Sequence, residues 1–366
     1  MAASADDLRL AAVLQQFGVR PEEVEAIGGG FSGACVWRVR TRGDRFMGLR
    51  WSPEPLERSE LERRESICRW MQFARAAGCE WVPQPFRPLG AVGNFLLTQP
   101  DGWWQLETWM PGHPVDTAPS PLQLQQALAA VSRLHQTGRS WALQESPGGG
   151  PPGGNSLRLA AATSPGLQRR LLLVRELQSG ALARLFASAA QDPDGEFRQL
   201  SQQLERCLQQ RLPGLARHLE ELAPCTFSLQ PVLRDLWQPH ILFSGDQVTG
   251  VIDWNAAFSD HPAFDYSRLL ASWYGWRALN LLSSAVIPAV GSSAGGHLPV
   301  GFQPEHWTGM EHELLRVCVA ASLLLSPVTW LHRRCAGGPA SQRIRPEVLA
   351  RYRRLVSLAC GTAGDA

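Results

Sequence analysis

The stretch from Val232 to Trp254, VLRDLWQPHILFSGDQVTGVIDW, constrains this chain more than any other. His240 to Phe243 is a short apolar run, Ser244-Gly245-Asp246-Gln247 is turn chemistry, and Val248 to Ile252 is a second β-rich run. Two such runs around a glycine-containing turn predict a β-hairpin. A hairpin returns the chain to its starting point, so the loop that enters it and the loop that leaves it lie side by side. The spacing therefore brings Asp235 and Asp253 to one site. Two converging carboxylates suit phosphoryl transfer, in which one orients and deprotonates an attacking hydroxyl and the other holds the Mg²⁺ that neutralises the phosphates.

Around this block the chain divides into a strand-rich first part and a helical remainder. Asp6 to Phe17 has the pattern of a short amphipathic helix, and Ile27 to Gly33 is a glycine-rich turn. Cys35 to Arg40 and Arg45 to Trp51 read as a hairpin. Ser59 with Glu62 three residues on forms a capping-box pattern, predicting a helix from there to about Ala77, stopped by Gly78. A second hairpin is predicted from Phe95 to Trp109 around Gln99-Pro100-Asp101-Gly102. Met110-Pro111-Gly112 closes the strand-rich unit. Helices are then predicted over Leu122 to Gln136, Gly166 to Ala189, Glu196 to Leu222 and most of Phe264 to Ala359, with a loop at Ser146 to Asn155. This implies an α+β fold of two lobes, residues 1–110 and 111–366, with the ligand site in the cleft between them.

The formal net charge is +2, so no polyanion and no nucleic acid is implied as a partner. All 35 basic residues are arginine, so any role usually filled by lysine falls to another side chain. The eight cysteines are scattered without metal-ligand spacing, and MAASADDLRL lacks a secretory pattern. The longest apolar run, Val317 to Leu331, contains Pro327 and falls short of a membrane span. The expectation is a cytoplasmic protein, off the membrane, monomeric or a weak dimer.

The order Leu233-Arg234-Asp235, His240, Ile252-Asp253-Trp254 and then Asp265 resembles the catalytic segment of the aminoglycoside phosphotransferase and choline kinase-like family, relatives of the protein kinases. The resemblance implies a two-lobed protein kinase-like fold, with a small antiparallel sheet and one main helix ahead of a larger, mainly helical lobe. It makes Asp235 the catalytic base, with Arg234 beside it as in the Arg-Asp pair of the protein kinases, and Asp253 the Mg²⁺ ligand. His240 stands where the family usually has asparagine, as a second metal position or a phosphate contact. Asp265 would buttress the catalytic loop, and His135 matches a structural family histidine. Gly28, Gly29, Gly30, Ser32 and Gly33 would cover the nucleotide with backbone N–H groups. Arg50 replaces the usual phosphate-binding lysine, with Glu65 as its helix partner. Glu107 and Trp109 fall in the inter-lobe connector, whose backbone would meet adenine.

The implied activity is ATP-dependent transfer of a γ-phosphoryl group to a hydroxyl of a small molecule, with ATP and Mg²⁺ bound. The alternative is a weakly active or inactive pseudokinase that binds a nucleotide or metabolite. A metal-dependent hydrolase built on Asp235, His240 and Asp253 is a third possibility. No acidic cluster marks an aminoglycoside site, which leaves amino alcohols, sugars and nucleosides open.

Overall fold

The computed structural model describes residues 5–27, 34–53, 55–145, 157–285, 307–336 and 344–361. The glycine-rich residues Gly28, Gly29, Gly30, Ser32 and Gly33 and the loop at 146–155 lie outside the described residues.

The first part is an antiparallel sheet of β1 (Pro21–Ile27), β2 (Cys35–Thr41), β3 (Arg45–Ser52), β4 (Pro85–Phe86), β5 (Leu97–Gln99) and β6 (Gly102–Thr108). The strands run in the order β1-β2-β3-β6-β4, with β5 also on β6. Side chains alternate across a strand, which sorts this sheet into two faces. Val39, Leu49, Trp104 and Leu106 point to one face and are covered by Leu10, Val13 and Leu14 of α1 (Ala5–Gln16) and by Phe17 just after it. The intervening residues Gly48, Arg50, Gln105 and Glu107 point to the other face and line a cleft.

Helix α2 (Arg58–Ala76) begins without the predicted capping box. Glu57 is its N-cap residue with no side-chain cap bond, and Glu62 pairs with Arg58 at 2.9 Å one turn back. Its buried stripe of Ile67, Trp70, Met71 and Ala74 packs into the larger core together with α3 (Pro121–Glu145). That stripe, rather than a cap, fixes where the helix lies.

The connector between the two parts depends on Gly112, which has φ 97°. A Cβ there would sit 2.3 Å from Thr249 Oγ1 and 2.6 Å from the Phe243 carbonyl oxygen, so only glycine fits. His113 and Phe243 exchange backbone hydrogen bonds at 3.0 and 2.8 Å just beyond it.

The remainder holds α4 (Pro165–Glu176), α5 (Leu182–Ala189), α6 (Gly195–Leu222), α7 (Ala263–Tyr274), α8 (Arg277–Ala285), α9 (Gly309–Ala336) and α10 (Pro346–Cys360). The helix predicted over Gly166 to Ala189 is two helices, because Gly180 at φ 102° bends the chain between them. Conversely, α9 runs through Pro327. The burial of Leu324, Val328 and Leu331 outweighs the roughly 3 kcal/mol that an interior proline costs. By length and composition α9 could cross a membrane, but 72% of its apolar window is buried inside the fold, the position of a core helix.

Sequence patterning did not predict a small sheet in the order β11-β8-β7, made of β7 (Ala160–Thr163), β8 (Thr226–Val232) and β11 (Phe258–Asp260). Its registers Val232↔Phe258 and Gln230↔Asp260 tie the start of the Val232–Trp254 block to the residues just after it.

Candidate active site

The predicted hairpin is formed by β9 (Ile241–Ser244) and β10 (Gln247–Val251), which turn through Gly245 at φ 60°. Ile252 N–H donates to the His240 carbonyl at 2.9 Å, and β8 pairs with β11 outside it, so both loops are clamped at their roots. Two of the three non-glycine residues with positive φ among the described residues lie here, Arg234 at 64° and Asp253 at 60°. Such left-handed backbone costs about 1–2 kcal/mol per residue and persists where surrounding contacts over-determine it.

Asp265 supplies those contacts for Arg234. Fully buried at the start of α7, it accepts hydrogen bonds from Leu233 N–H at 2.9 Å and Arg234 N–H at 2.6 Å. Its Oδ2 also contacts His135 Nε2 at 2.9 Å. Position 234 is where the resembled family carries glycine, and the backbone found here is one that favours glycine.

Asp235, next in the chain, accepts two hydrogen bonds at Oδ1 from Arg268, at 3.0 Å from Nε and 2.7 Å from Nη2. Its Oδ2 has no hydrogen-bond partner among the described residues. Burial works to raise this carboxyl, but Arg268, His240 and Arg351 outweigh it and hold Asp235 below the ordinary aspartate range.

His240 lies between the two aspartates. Its Nδ1 is 2.7 Å from the Asp235 carbonyl oxygen and its Nε2 is 3.7 Å from Asp253 Oδ2. A carbonyl only accepts, so Nδ1 donates to it and Nε2 is directed toward Asp253, where in the neutral tautomer its lone pair is open to a cation. A carboxylate and an oriented imidazole flanking one point fit a divalent cation, with the second ring nitrogen fixed as metal-bound histidines usually are. The oxygen donors suit Mg²⁺, and the nitrogen widens the fit to ions such as Mn²⁺.

Asp253 is held from the sheet and from α2. Asn255 Nδ2 donates to Asp253 Oδ1 at 2.9 Å, and Arg64 donates to Asn255 Oδ1 at 2.6 Å. Arg63 donates to the carbonyls of Asn255 and Ala257 at 3.0 and 2.7 Å. Glu60 pairs with both arginines. Burial brings Arg64 down to about 10 against the pull of Glu60.

Arg50 reaches this cluster, with Nη1 at 3.6 Å from Asp253 Oδ1. Its expected partner Glu65 is elsewhere. The Glu65 carboxylate is buried, with Oε1 accepting the N–H groups of both Phe95 and Leu96 at 3.0 Å and Oε2 that of Phe95 at 2.9 Å. It satisfies backbone donors that no strand pairs, and the acidic neighbours of Arg50 are Glu107 and Asp253. Burial pushes the Glu107 carboxyl up to about 7, with Arg50 opposing, Asp253 reinforcing and Gln105 opposing through a 2.9 Å hydrogen bond.

The connector also differs from expectation. Glu107 is paired in the sheet to Gly48 on one side and Pro85 on the other. Thr108 N–H bonds the Gln84 carbonyl and Trp109 N–H the Phe46 carbonyl, each at 3.0 Å. Those amides are engaged within the sheet, and the next backbone N–H along the cleft wall belongs to Met110. Trp109 lines the cleft.

The cleft has a volume of about 1150 Å³ and brings Arg50, Glu107, Trp109, Arg234, Asp235, His240 and Asp253 to one space. The Arg234 side chain turns from Asp235 toward buried Asp260, at 3.7 Å. Sequence reasoning missed Arg268, Arg63, Arg64, Asn255 and Arg351. Arg268 had a signal, since it lies three residues after Asp265 and so on the same helix face. Arg351 had none, because α10 reaches the cleft only through tertiary packing.

A small antiparallel sheet over a helical lobe, with a loop aspartate and a post-hairpin aspartate facing the cleft between them, defines a protein kinase-like fold. The family model described as the phosphotransferase enzyme family matches residues 23–285. The chain belongs to that family, and its class is that of a phosphotransferase. No curated protein matches the chain in sequence. Among solved structures, it is similar to an AMP-bound spectinomycin phosphotransferase, with TM-score 0.60, 9% identity and 98% and 99% of the two chains covered. It is similar also to amicoumacin kinase in complex with AMP-PNP and Ca²⁺, with TM-score 0.55, 13% identity and 98% and 94% covered. An aminoglycoside phosphotransferase from Alicyclobacillus acidocaldarius gives TM-score 0.52 and 14% identity over 95% and 91% of the chains.

Proposed function

We propose that this protein transfers the γ-phosphoryl group of ATP to a hydroxyl of a small molecule, with Asp235 receiving that hydroxyl's proton. The observation that carries the reading is the position of His240, which touches the backbone of Asp235 and the carboxylate of Asp253 and so brings both aspartates to one reaction centre. In this reading residues 1–110 clamp the nucleotide and residues 111–366 hold the acceptor.

Asp235 presents Oδ2 to the acceptor hydroxyl while Arg268 fixes Oδ1. A carboxylate held low is a weak base, but transfer of a phosphoryl group runs through a loose transition state in which orientation and charge stabilisation dominate. Asp253 and His240 Nε2 would hold the divalent cation, which supplies charge neutralisation at the phosphates. Arg50 sits beside them, where a guanidinium fork suits phosphate oxygens. Met110, which lines the cleft, would offer its N–H to the adenine edge.

Asp235→Asn and Asp253→Ala are expected to abolish ADP formation, and Asp235→Asn to retain the ATP-dependent thermal shift. Unchanged turnover in either purified variant would refute the assignment. ATP binding by the wild type without transfer to any hydroxyl compound would select the binding-protein alternative.

A further inference from the structure

The helical wall of the cleft has an excess of positive charge that the nucleotide reading does not use. Six arginines line it from five separate elements: Arg169 and Arg170 from α4, Arg234 from the loop after β8, Arg268 from α7, Arg333 from α9 and Arg351 from α10. Among the described residues, the acidic side chains lining that wall are Asp235 and Asp253, which have roles already. Arg268 is matched by Asp235, and Arg234 faces Asp260.

Arg170 and Arg351 have no such match. Among the described residues neither has a carboxylate within 4.0 Å. The Arg351 guanidinium is sandwiched between indoles, 4.3 Å from the Trp237 ring and 5.1 Å from the Trp330 ring. That of Arg170 lies 4.3 Å from the Phe264 ring, with a long 3.5 Å bond to the Gly166 carbonyl as its hydrogen bond. Aromatic walls fix the plane of a guanidinium and leave its edge N–H donors for a ligand. Both groups are pulled below the ordinary arginine range, first by burial and further by the positive charge of Arg268, while Asp235 and Asp253 at longer range oppose the shift for Arg351 and Asp260 for Arg170. Desolvated cations with no carboxylate in direct contact are costly to hold, and an incoming anion lowers that cost.

We propose that the acceptor is an anionic hydroxyl compound, bearing a carboxylate or phosphate group that Arg170 and Arg351 bind while its hydroxyl meets Asp235. This rests on the phosphotransferase reading for the hydroxyl's role, but the anion site stands on its own residues. Arg268 lines the same wall as both arginines and grips Asp235 at 2.7 Å, so an anion held on that wall shares one cleft with the base. The same field disfavours cationic acceptors, whose amino groups would meet guanidinium groups here.

The test is calorimetric titration of the full chain saturated with AMP-PNP and Mg²⁺, using ribose, ribonate, ribose 5-phosphate and choline as probes. Ribonate or ribose 5-phosphate is expected to bind at least tenfold more tightly than ribose, the difference between the two naming the anion, and choline is expected to bind most weakly. Arg351→Gln and Arg170→Gln should each weaken the anionic probe at least tenfold and change AMP-PNP affinity less than twofold. Arg351→Lys, which keeps charge, should recover part of the loss, separating charge from packing on Trp237. The proposal is overturned if ribose or choline binds as tightly as the anions. It is equally overturned if Arg351→Gln weakens AMP-PNP instead, since the arginines would then serve the nucleotide. Anion binding that persists in a protein transferring no phosphoryl group would sink the enzymatic reading and leave the anion site standing.

Discussion

Replacing Asp265 by asparagine exchanges one of two carboxylate oxygens for an NH₂ group in a place that holds only donors. With the remaining oxygen at the Oδ2 position, the contacts to Leu233 N–H and His135 survive. The NH₂ group then meets Arg234 N–H, which bonds Oδ1 at 2.6 Å in the wild type. The opposite orientation loses two contacts instead of one. Losing a charge-assisted bond and leaving a buried donor unpaired together cost about 3 kcal/mol. The functional effect is expected to be larger than the stability effect suggests. Arg234 is held at φ 64°, and release of its amide lets that backbone relax and carry Asp235 with it. Asp235 would then leave its 2.7 Å contacts with Arg268 and His240, and a displacement of about 1 Å at a reacting centre costs on the order of 100-fold in rate. Urea unfolding gives the stability change, and ADP formation, with water or an acceptor, gives the rate. A variant within about 0.5 kcal/mol of the wild type, or one strongly destabilised but with unchanged turnover, refutes this account of the buttress.

Two further predictions isolate single terms. Arg234→Ala and Arg234→Gly both remove the guanidinium, so their difference reads the left-handed backbone alone. The glycine variant is expected to be more stable by about 1 kcal/mol in urea unfolding, and an alanine variant of equal or greater stability would contradict the strain argument. Glu107 has its carboxyl raised from 4.5 to about 7, so the folded state binds more protons than the unfolded state across that window and wild-type stability falls as pH rises through it. Glu107→Gln should therefore gain in melting temperature relative to the wild type from pH 5 toward pH 8, levelling off above about 7. A pH-independent difference would show that burial and Asp253 do not perturb this carboxylate.

The Val232–Trp254 hairpin was legible because its signals are local, with two apolar runs, a glycine turn and an aspartate at either end. Arg50 was legible through the resemblance, as the residue standing in place of the usual lysine, and strand alternation puts it on the face opposite Leu49. Its acidic neighbours were not, because Glu65 is taken by the amides of Phe95 and Leu96, and Glu107 and Asp253 come beside Arg50 only through the fold. The capping box failed for a related reason. Ser59 and Glu62 have the right spacing, but Arg58 offers Glu62 a charged partner and the helix already starts at Arg58. The β7 strand, Ala-Ala-Ala-Thr, has no strand propensity of its own and exists through pairing with β8. Arginines from α4, α9 and α10 come to the same cleft as Asp235 only through tertiary packing, so the charge of the helical wall could not be read before the fold was known.

The absence of lysine explains much of how the site is held. A lysine ammonium is a single point donor, whereas a guanidinium can bond several acceptors at fixed angles. Arg63 uses this to hold two carbonyls of the turn after Asp253 while pairing with Glu60, and Arg64 repeats it between Glu60 and Asn255. Arg268 grips Asp235 with two nitrogens and Ser326 with a third. The two aspartates are thus each fixed by arginines from a different helix, α2 for Asp253 and α7 for Asp235. Such fixation lowers the basicity of Asp235 but narrows its range of positions, a favourable exchange for a reaction in which the hydroxyl loses its proton late and alignment sets the barrier. The same preference carried into the helical wall of the cleft gives it planar, bidentate cations, which are matched by carboxylates and phosphates.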